Sequence, residues 1–192
     1  LKGLDSNNQK NIDKILLDLD GSENKTNLGA NATLAVSLAN SKCSALSNKR
    51  SLFKNLGNNF SLPIPLMNIL NGGAHAESNV DIQEFMVVPH GFDNFSSAFQ
   101  AGTEIYHSLK SVLSEEGLLG GVGDEGGFAP NLSCNEDGLR YLMKAIQNAG
   151  YSPGTQVSIA LDVAAQEFFD GENYHIDNRV ISGKELSNLY SS

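Results

Sequence analysis

Two adjacent carboxylates, Asp124 and Glu125, lie in the stretch Gly121–Asn131, GVGDEGGFAPN, with glycines on either side and Phe128 and Pro130 following. That glycine density and the proline exclude a regular helix or a paired strand, so the stretch is read as a loop. Glycine lets a backbone approach a ligand closely, and a carboxylate held this way can exchange a proton or bind a cation. A solvated turn is the plain alternative. Glu84 stands in Val80–Val88, VDIQEFMVV, where alternation puts it on one strand face with Val80, Ile82, Met86 and Val88. A carboxylate there is costly unless it is paired, hydrogen-bonded or bound to something. His75, in NGGAHAESN, is open to a surface role or to ligand contact, and Gln83 and Glu84 lie across the same turn. Asp162 closes the short strand QVSIALD. It either caps the segment that follows or contributes to a site for a hard cation such as Mg²⁺, which takes a few carboxylates together with water and substrate oxygens.

Several other chemistries drop out. The string Gly121-x-Gly123-x-x-Gly126 matches a dinucleotide-binding fingerprint, but it follows a helical pattern and runs into Phe-Ala-Pro instead of opening a helix. No Ser/His/Asp or Cys/His grouping, phosphate-binding P-loop, HExxH or zinc spacing is present.

The elements that must position these groups follow from periodicity and punctuation. Residues 1–20 carry helix-spaced Leu4, Ile12, Ile15, Leu16 and Leu19, and the polar stretch 20–32 reads as a structured loop. Ala30–Ala45 is rich in small residues, as in a helix packed closely on a neighbour. Composition changes after Gly57-Asn58-Asn59, which places a domain boundary near Phe60, with domains 1–60 and 61–192. Leu62–Leu70 contains two prolines and reads as an extended sheet edge. Asn71-Gly72-Gly73 then turns it toward Val80–Val88, an antiparallel hairpin. Phe95–Leu113 is predicted as an amphipathic helix with Phe95, Phe99, Ile105 and Leu109 inward, and Asn135–Ala149 as a second helix with Leu139, Leu142, Met143 and Ile146 inward. Gln156–Asp162 is a strand, Tyr174–Ile176 a brief extended piece, and Ser182–Glu185 a capping box. The class is α/β, with carboxylates at strand ends and in the loops beyond them, as in a (β/α) barrel. Eight strand–helix units need roughly 250 residues and about 130 follow the boundary, so these residues make only the first part of such a barrel.

With 22 acidic and 13 basic residues the formal net charge is -9, which argues against nonspecific binding to nucleic acid or anionic membrane. The apolar runs fall well short of the roughly 20 residues that span a bilayer, and no secretory leader pattern opens the chain. Cys43 and Cys134, without a CxxC pattern, suit a reduced, cytosolic setting.

Six segments then carry a resemblance: Asp20–Lys25 (DGSENK), Leu28–Ala32 (LGANA), Asn71–Ala76 (NGGAHA), Asp81–Met86 (DIQEFM), Gly123–Pro130 (GDEGGFAP) and Ala160–Asp162 (ALD). In type and order they are similar to enolase, the glycolytic phosphopyruvate hydratase family. The resemblance implies the latter part of an N-terminal α+β domain followed by the first part of a C-terminal barrel that begins with an antiparallel hairpin. It further implies Mg²⁺-dependent dehydration of 2-phosphoglycerate to phosphoenolpyruvate in a cytoplasmic homodimer, with additional cell-surface display an open matter. Glu125 resembles the acid that assists departure of the hydroxyl and Glu84 its partner carboxylate. Gln83 and His75 resemble substrate contacts, and Asp162 the first of three carboxylates around the metal. Glu77-Ser78 and Gln166 depart mildly from the family's pattern. By the same logic the base lysine, the other two metal carboxylates and an early substrate-closing loop lie outside these residues. The isolated chain is therefore expected to be inactive, and a binding or structural role without catalysis is the alternative.

Overall fold

Asn8 opens the first helix by accepting the N–H of Asn11 on its side chain, one of the four donors a helix start leaves unpaired. Helix α1 (Gln9–Asp20) buries Ile12 and Leu16. It packs on α2 (Ala30–Ser47), whose buried positions Thr33, Ser41, Ser44 and Ala45 are all small. Asp20 organises the loop between them: its carboxylate accepts from the Ser22 hydroxyl and from the backbone N–H of Ser22 and Leu28, the last at 2.7 Å. These bonds, the Ser22 hydroxyl foremost, hold its carboxyl below the usual carboxylate range. A short helix, α3 (Leu52–Leu56), follows. In this computed structural model, which describes residues 1–192, these elements form one unit, Leu1–Ser61, and Leu62–Ser192 forms a second.

The second unit is built on a five-stranded sheet of order β3-β4-β1-β2-β5. Its strands are β1 (Met67–Asn71), β2 (Glu84–Pro89), β3 (Gly121–Val122), β4 (Phe128–Ala129) and β5 (Val157–Asp162). Strands β1 and β2 form the expected antiparallel hairpin. β5 also runs antiparallel to β2, and β4 runs parallel to β1. On β2, Phe85 and Val87 are fully buried while Glu84, Met86 and Val88 are only partly so. The helices α4 (Phe95–Glu115) and α5 (Asn135–Asn148) pack on each other and on β2, and Ile105, Leu109, Leu142 and Ile146 join Phe85 and Val87 in one apolar core. Removing a ring buried as completely as Phe85 costs roughly 3 to 5 kcal/mol. A small sheet of β6 (Tyr174–Ile176) and β7 (Arg179–Ile181) and the helix α6 (Gly183–Ser191) complete the chain. The Ser182–Glu185 capping box forms as expected. The architecture is α/β.

Four sequence expectations are corrected. Residues 80–83 are not strand: the Val80 carbonyl accepts from Gly73 N–H at 2.7 Å and the Gln83 carbonyl from Gly72 N–H at 3.0 Å. The Ile82 N–H goes to the Asn135 side chain, so this backbone is committed before a ladder can form. Residues 62–66 likewise precede the strand without joining it. The ends of the Gly121–Asn131 stretch do pair, as β3 and β4, and the two acidic residues occupy the tip of a hairpin. Phe99 and Met143, expected inward, are 51% and 39% exposed; the first turns of α4 are instead buried through small residues, Ala98, Ala101 and Gly102, and Phe99 stacks on Phe95 at its surface.

Candidate active site

The site grows from one row of the sheet. Glu84, at the start of β2, stands in register between Asn71 at the end of β1 and Asp162 at the end of β5. Three polar side chains therefore lie in one row at one end of the sheet. Glu84 is 14% exposed at its side chain.

Two connections bring the remaining groups to that row. After β1 the chain makes a single 3₁₀ turn, Gly73–His75. Gly73 has φ +53, and a Cβ there would lie 3.0 Å from the Asp81 carbonyl oxygen, so the turn needs glycine twice over. It places His75 Nδ1 3.5 Å from Glu84 Oε1 and 3.8 Å from Glu125 Oε1. The hairpin tip between β3 and β4 brings Glu125. Its backbone closes on itself through Gly123 N–H to the Gly127 carbonyl at 2.8 Å, and Asp124 N–H donates to the His75 carbonyl at 3.2 Å. Tyr106 on α4 donates from its hydroxyl to the Gly126 carbonyl at 3.0 Å, while its ring stacks on Phe128 at 4.5 Å. Underneath lies Asn71, fully buried: a Cβ on Gly127 would stand 2.1 Å from Asn71 Oδ1. The tip is moulded on that amide.

The proton-exchanging atoms of His75, Glu84 and Glu125 all lie within 4.8 Å of one another. The Glu84 and Glu125 carboxylates stand close enough for each to perturb the other. Desolvation raises the Glu84 carboxyl, the bond and charge of Glu125 and then the charge of Asp162 raise it further, and His75 pulls the other way. Glu125, nearly half exposed, is lowered by its bonds to Glu84 and then Asn68, whose Nδ2 donates to Glu125 Oε2 at 3.1 Å. The two carboxyls are therefore pushed apart, the more buried Glu84 upward and the more exposed Glu125 downward.

Of the other candidates, Gln83 sits beside Glu84, its backbone tied to Gly72. Asp162 lies beside Glu84 but outside the three-group cluster; its Oδ1 accepts from Ala164 N–H at 3.1 Å, the local turn bond considered above. Asp162 and Glu84 side by side present the hard carboxylate oxygens that a small divalent cation takes, and the exposed end of β5 leaves Asp162 accessible to one. A cleft of about 530 Å³, lined by His75, Glu77, Val122 and Asp124 among others, opens beside the cluster. The hollow of about 420 Å³ between α1 and α2 in the first unit has no histidine and no facing pair of carboxylates. Sequence reasoning missed Asn68, Asn71 and Tyr106. Two asparagines within a five-residue strand, MNILN, were the available signal for the first two.

Comparison with known proteins bears directly on these groups. Residues 59–192 match the family model described as "Enolase, C-terminal TIM barrel domain", and residues 1–56 match "Enolase, N-terminal domain". The protein named "Enolase" from Beutenbergia cavernae is 52% identical over 191 residues, an alignment that covers 98% of this chain and 45% of the relative. The chain thus spans about half the length of the curated relative it matches. Both halves match in the order that the six sequence segments required, and on that ground the chain belongs to the enolase family.

Proposed function

We propose that this chain supplies the proton-handling side of an enolase active site, and that the full-length protein reversibly dehydrates 2-phosphoglycerate to phosphoenolpyruvate. The observation that carries the reading is the convergence of Glu84, Glu125 and His75 within 4.8 Å at the end of the sheet, with burial raising the Glu84 carboxyl. In the dehydration direction the substrate α-proton is removed by a lysine that the family places outside these residues. The electron pair left behind then forms the C=C bond and breaks the C–O bond to the β-hydroxyl. Hydroxide is a poor leaving group, so a proton must reach that oxygen as the bond breaks. Glu125, at the exposed tip, is the group that reaches it. Glu84, whose carboxyl burial favours in the protonated form, stands directly behind Glu125 as the source that resupplies its proton, so water leaves and the pair ends one proton poorer. His75 and Gln83 flank the same space as hydrogen-bonding contacts to substrate oxygens.

Mg²⁺ bound at Asp162, with the two further carboxylates of the family, would stabilise negative charge developing on the substrate carboxylate. Cytoplasmic location and a homodimer complete the proposal. The two cysteines are unpaired, and no helix is long and apolar enough to cross a membrane. The test is Glu125→Gln in the full-length protein, followed by phosphoenolpyruvate absorbance. Turnover should fall at least about 100-fold, the low end of general acid contributions, with the circular dichroism spectrum unchanged. Turnover within twofold of wild type removes Glu125 from the mechanism.

A further inference from the structure

We propose that Asn68 is a positioning residue for Glu125: its side-chain amide fixes the direction of the Glu125 carboxylate, and a bulge in β1 exists to turn that amide toward it. The proposal rests on the enolase reading above. In an unbroken strand, residues 68 and 71 would point to opposite faces, because the side-chain period is two. In β1 the register shifts between Asn68 and Leu70: Asn68 pairs with Met86, Leu70 with Phe85 and Asn71 with Glu84. Met86 and Glu84 share a face of β2, so Asn68 and Asn71 share it too. Ile69 is the extra residue that makes this so, and a bulge of this kind re-aims a side chain.

The amide reaches Glu125 Oε2 at 3.1 Å through Nδ2. Its other end, Oδ1, is buried with no hydrogen-bond partner. Flipping the amide would set that oxygen against a carboxylate, so the orientation is fixed by charge. A half-satisfied buried amide works against folding, since an unpaired buried polar atom costs about 1 to 3 kcal/mol. Fold stability therefore does not account for an asparagine here, whereas aiming Glu125 does. The hairpin tip is held through backbone groups and the Tyr106 hydroxyl, which fix where the tip sits but not where the half-exposed Glu125 side chain points. That direction is left to Asn68 and Glu84.

The experiment is a double-mutant cycle in the full-length protein. Asn68→Asp keeps the shape of the side chain and removes the donor. It should lower kcat about 10- to 100-fold, the scale of a misplacement near 1 Å, with KM changed less than threefold. In a Glu125→Gln background the same substitution should change kcat less than twofold, because the group it positions no longer carries the proton. A kcat within twofold of wild type, or an equal loss in both backgrounds, overturns the proposal. If circular dichroism shows that Asn68→Asp does not fold, Asn68→Ser, whose hydroxyl is too short to reach Glu125, takes its place in the cycle. If wild type shows no turnover of 2-phosphoglycerate, the enolase reading fails. Asn68 is then judged by a crystal structure of full-length N68D, where a Glu125 carboxylate still in its wild-type position refutes the positioning role.

Discussion

Gly127→Ala would test whether the acidic tip is moulded on Asn71. A Cβ at residue 127 would lie 2.1 Å from Asn71 Oδ1 and 3.0 Å from both the carbonyl carbon of Ile69 and the amide nitrogen of Leu70. Carbon–oxygen contacts settle near about 3.3 Å or more, so something must yield by more than about 1 Å. Asn71 is fully buried, and β1 is paired to β2 on one side and β4 on the other, so neither can retreat. The tip must move, and it carries Glu125 two residues away. A displacement near 1 Å at a proton donor is worth about 10²-fold in rate, and forcing an extra methyl into packed surroundings costs about 1 to 3 kcal/mol. In the full-length protein, G127A should lower kcat by about 100-fold and lower Tm by several degrees. Asn71→Ala added to it removes the worst contact while leaving the two backbone ones, so kcat should recover at least about fivefold without returning to wild type. Steady-state kinetics and thermal melts of the three variants are sufficient. If G127A turns over within twofold of wild type, or if N71A brings no recovery, the close approach of tip and strand is not what places Glu125.

Two further outcomes follow from the same geometry. Glu84→Gln mimics the protonated carboxyl: because folding raises the Glu84 pKa, its charged form opposes folding above the folded-state pKa, and that penalty disappears below the unfolded value near 4.5. E84Q should therefore melt higher than wild type at neutral pH, with the difference closing as pH falls through the folded-state pKa toward 4.5; a difference that is constant or widens on acidification would contradict the upward shift at Glu84. Asn135 accepts the N–H of Asp81 and Ile82, both at 2.9 Å, and donates to the carboxylates of Asp81 and Asp177 at 2.8 and 2.7 Å. Asn135→Ala should cost about 2 to 4 kcal/mol by chemical denaturation and raise KM more than it lowers kcat, since it frees the segment before Gln83 and leaves the proton pair in place. A fall in kcat alone would show that this network acts on the proton pair instead.

The groups with local chemistry were readable from the chain. The glycines around Asp124 and Glu125, the Asn-Gly-Gly turn before His75 and the Ser182–Glu185 box depend on backbone dihedrals and neighbours within a few residues, and such preferences are written in residue types. The amphipathic helices were legible for the same reason. Their inward faces were less so: Phe99 has an apolar ring at a helical spacing, but the first turns of α4 are buried through Ala98, Ala101 and Gly102, and that contact is set by the partner surface. The start of β2 at Glu84 also escaped the alternation pattern, because the Asn135 side chain, about fifty residues on, takes the backbone donors of Asp81 and Ile82.

What the sequence determined by itself was the set of titratable groups, the loops that carry them and their resemblance to one family. All of these reside in residue identity and short-range order. Only the tertiary structure decided which groups meet, which face Asn68 presents and which of two carboxyls is pushed upward. The first depends on strand register, the second on a single extra residue at Ile69, and the third on burial, 14% exposure at Glu84 against 47% at Glu125. Register, bulges and desolvation are properties of chain segments brought together from far apart, and the free energy that fixes them is absent until those segments touch.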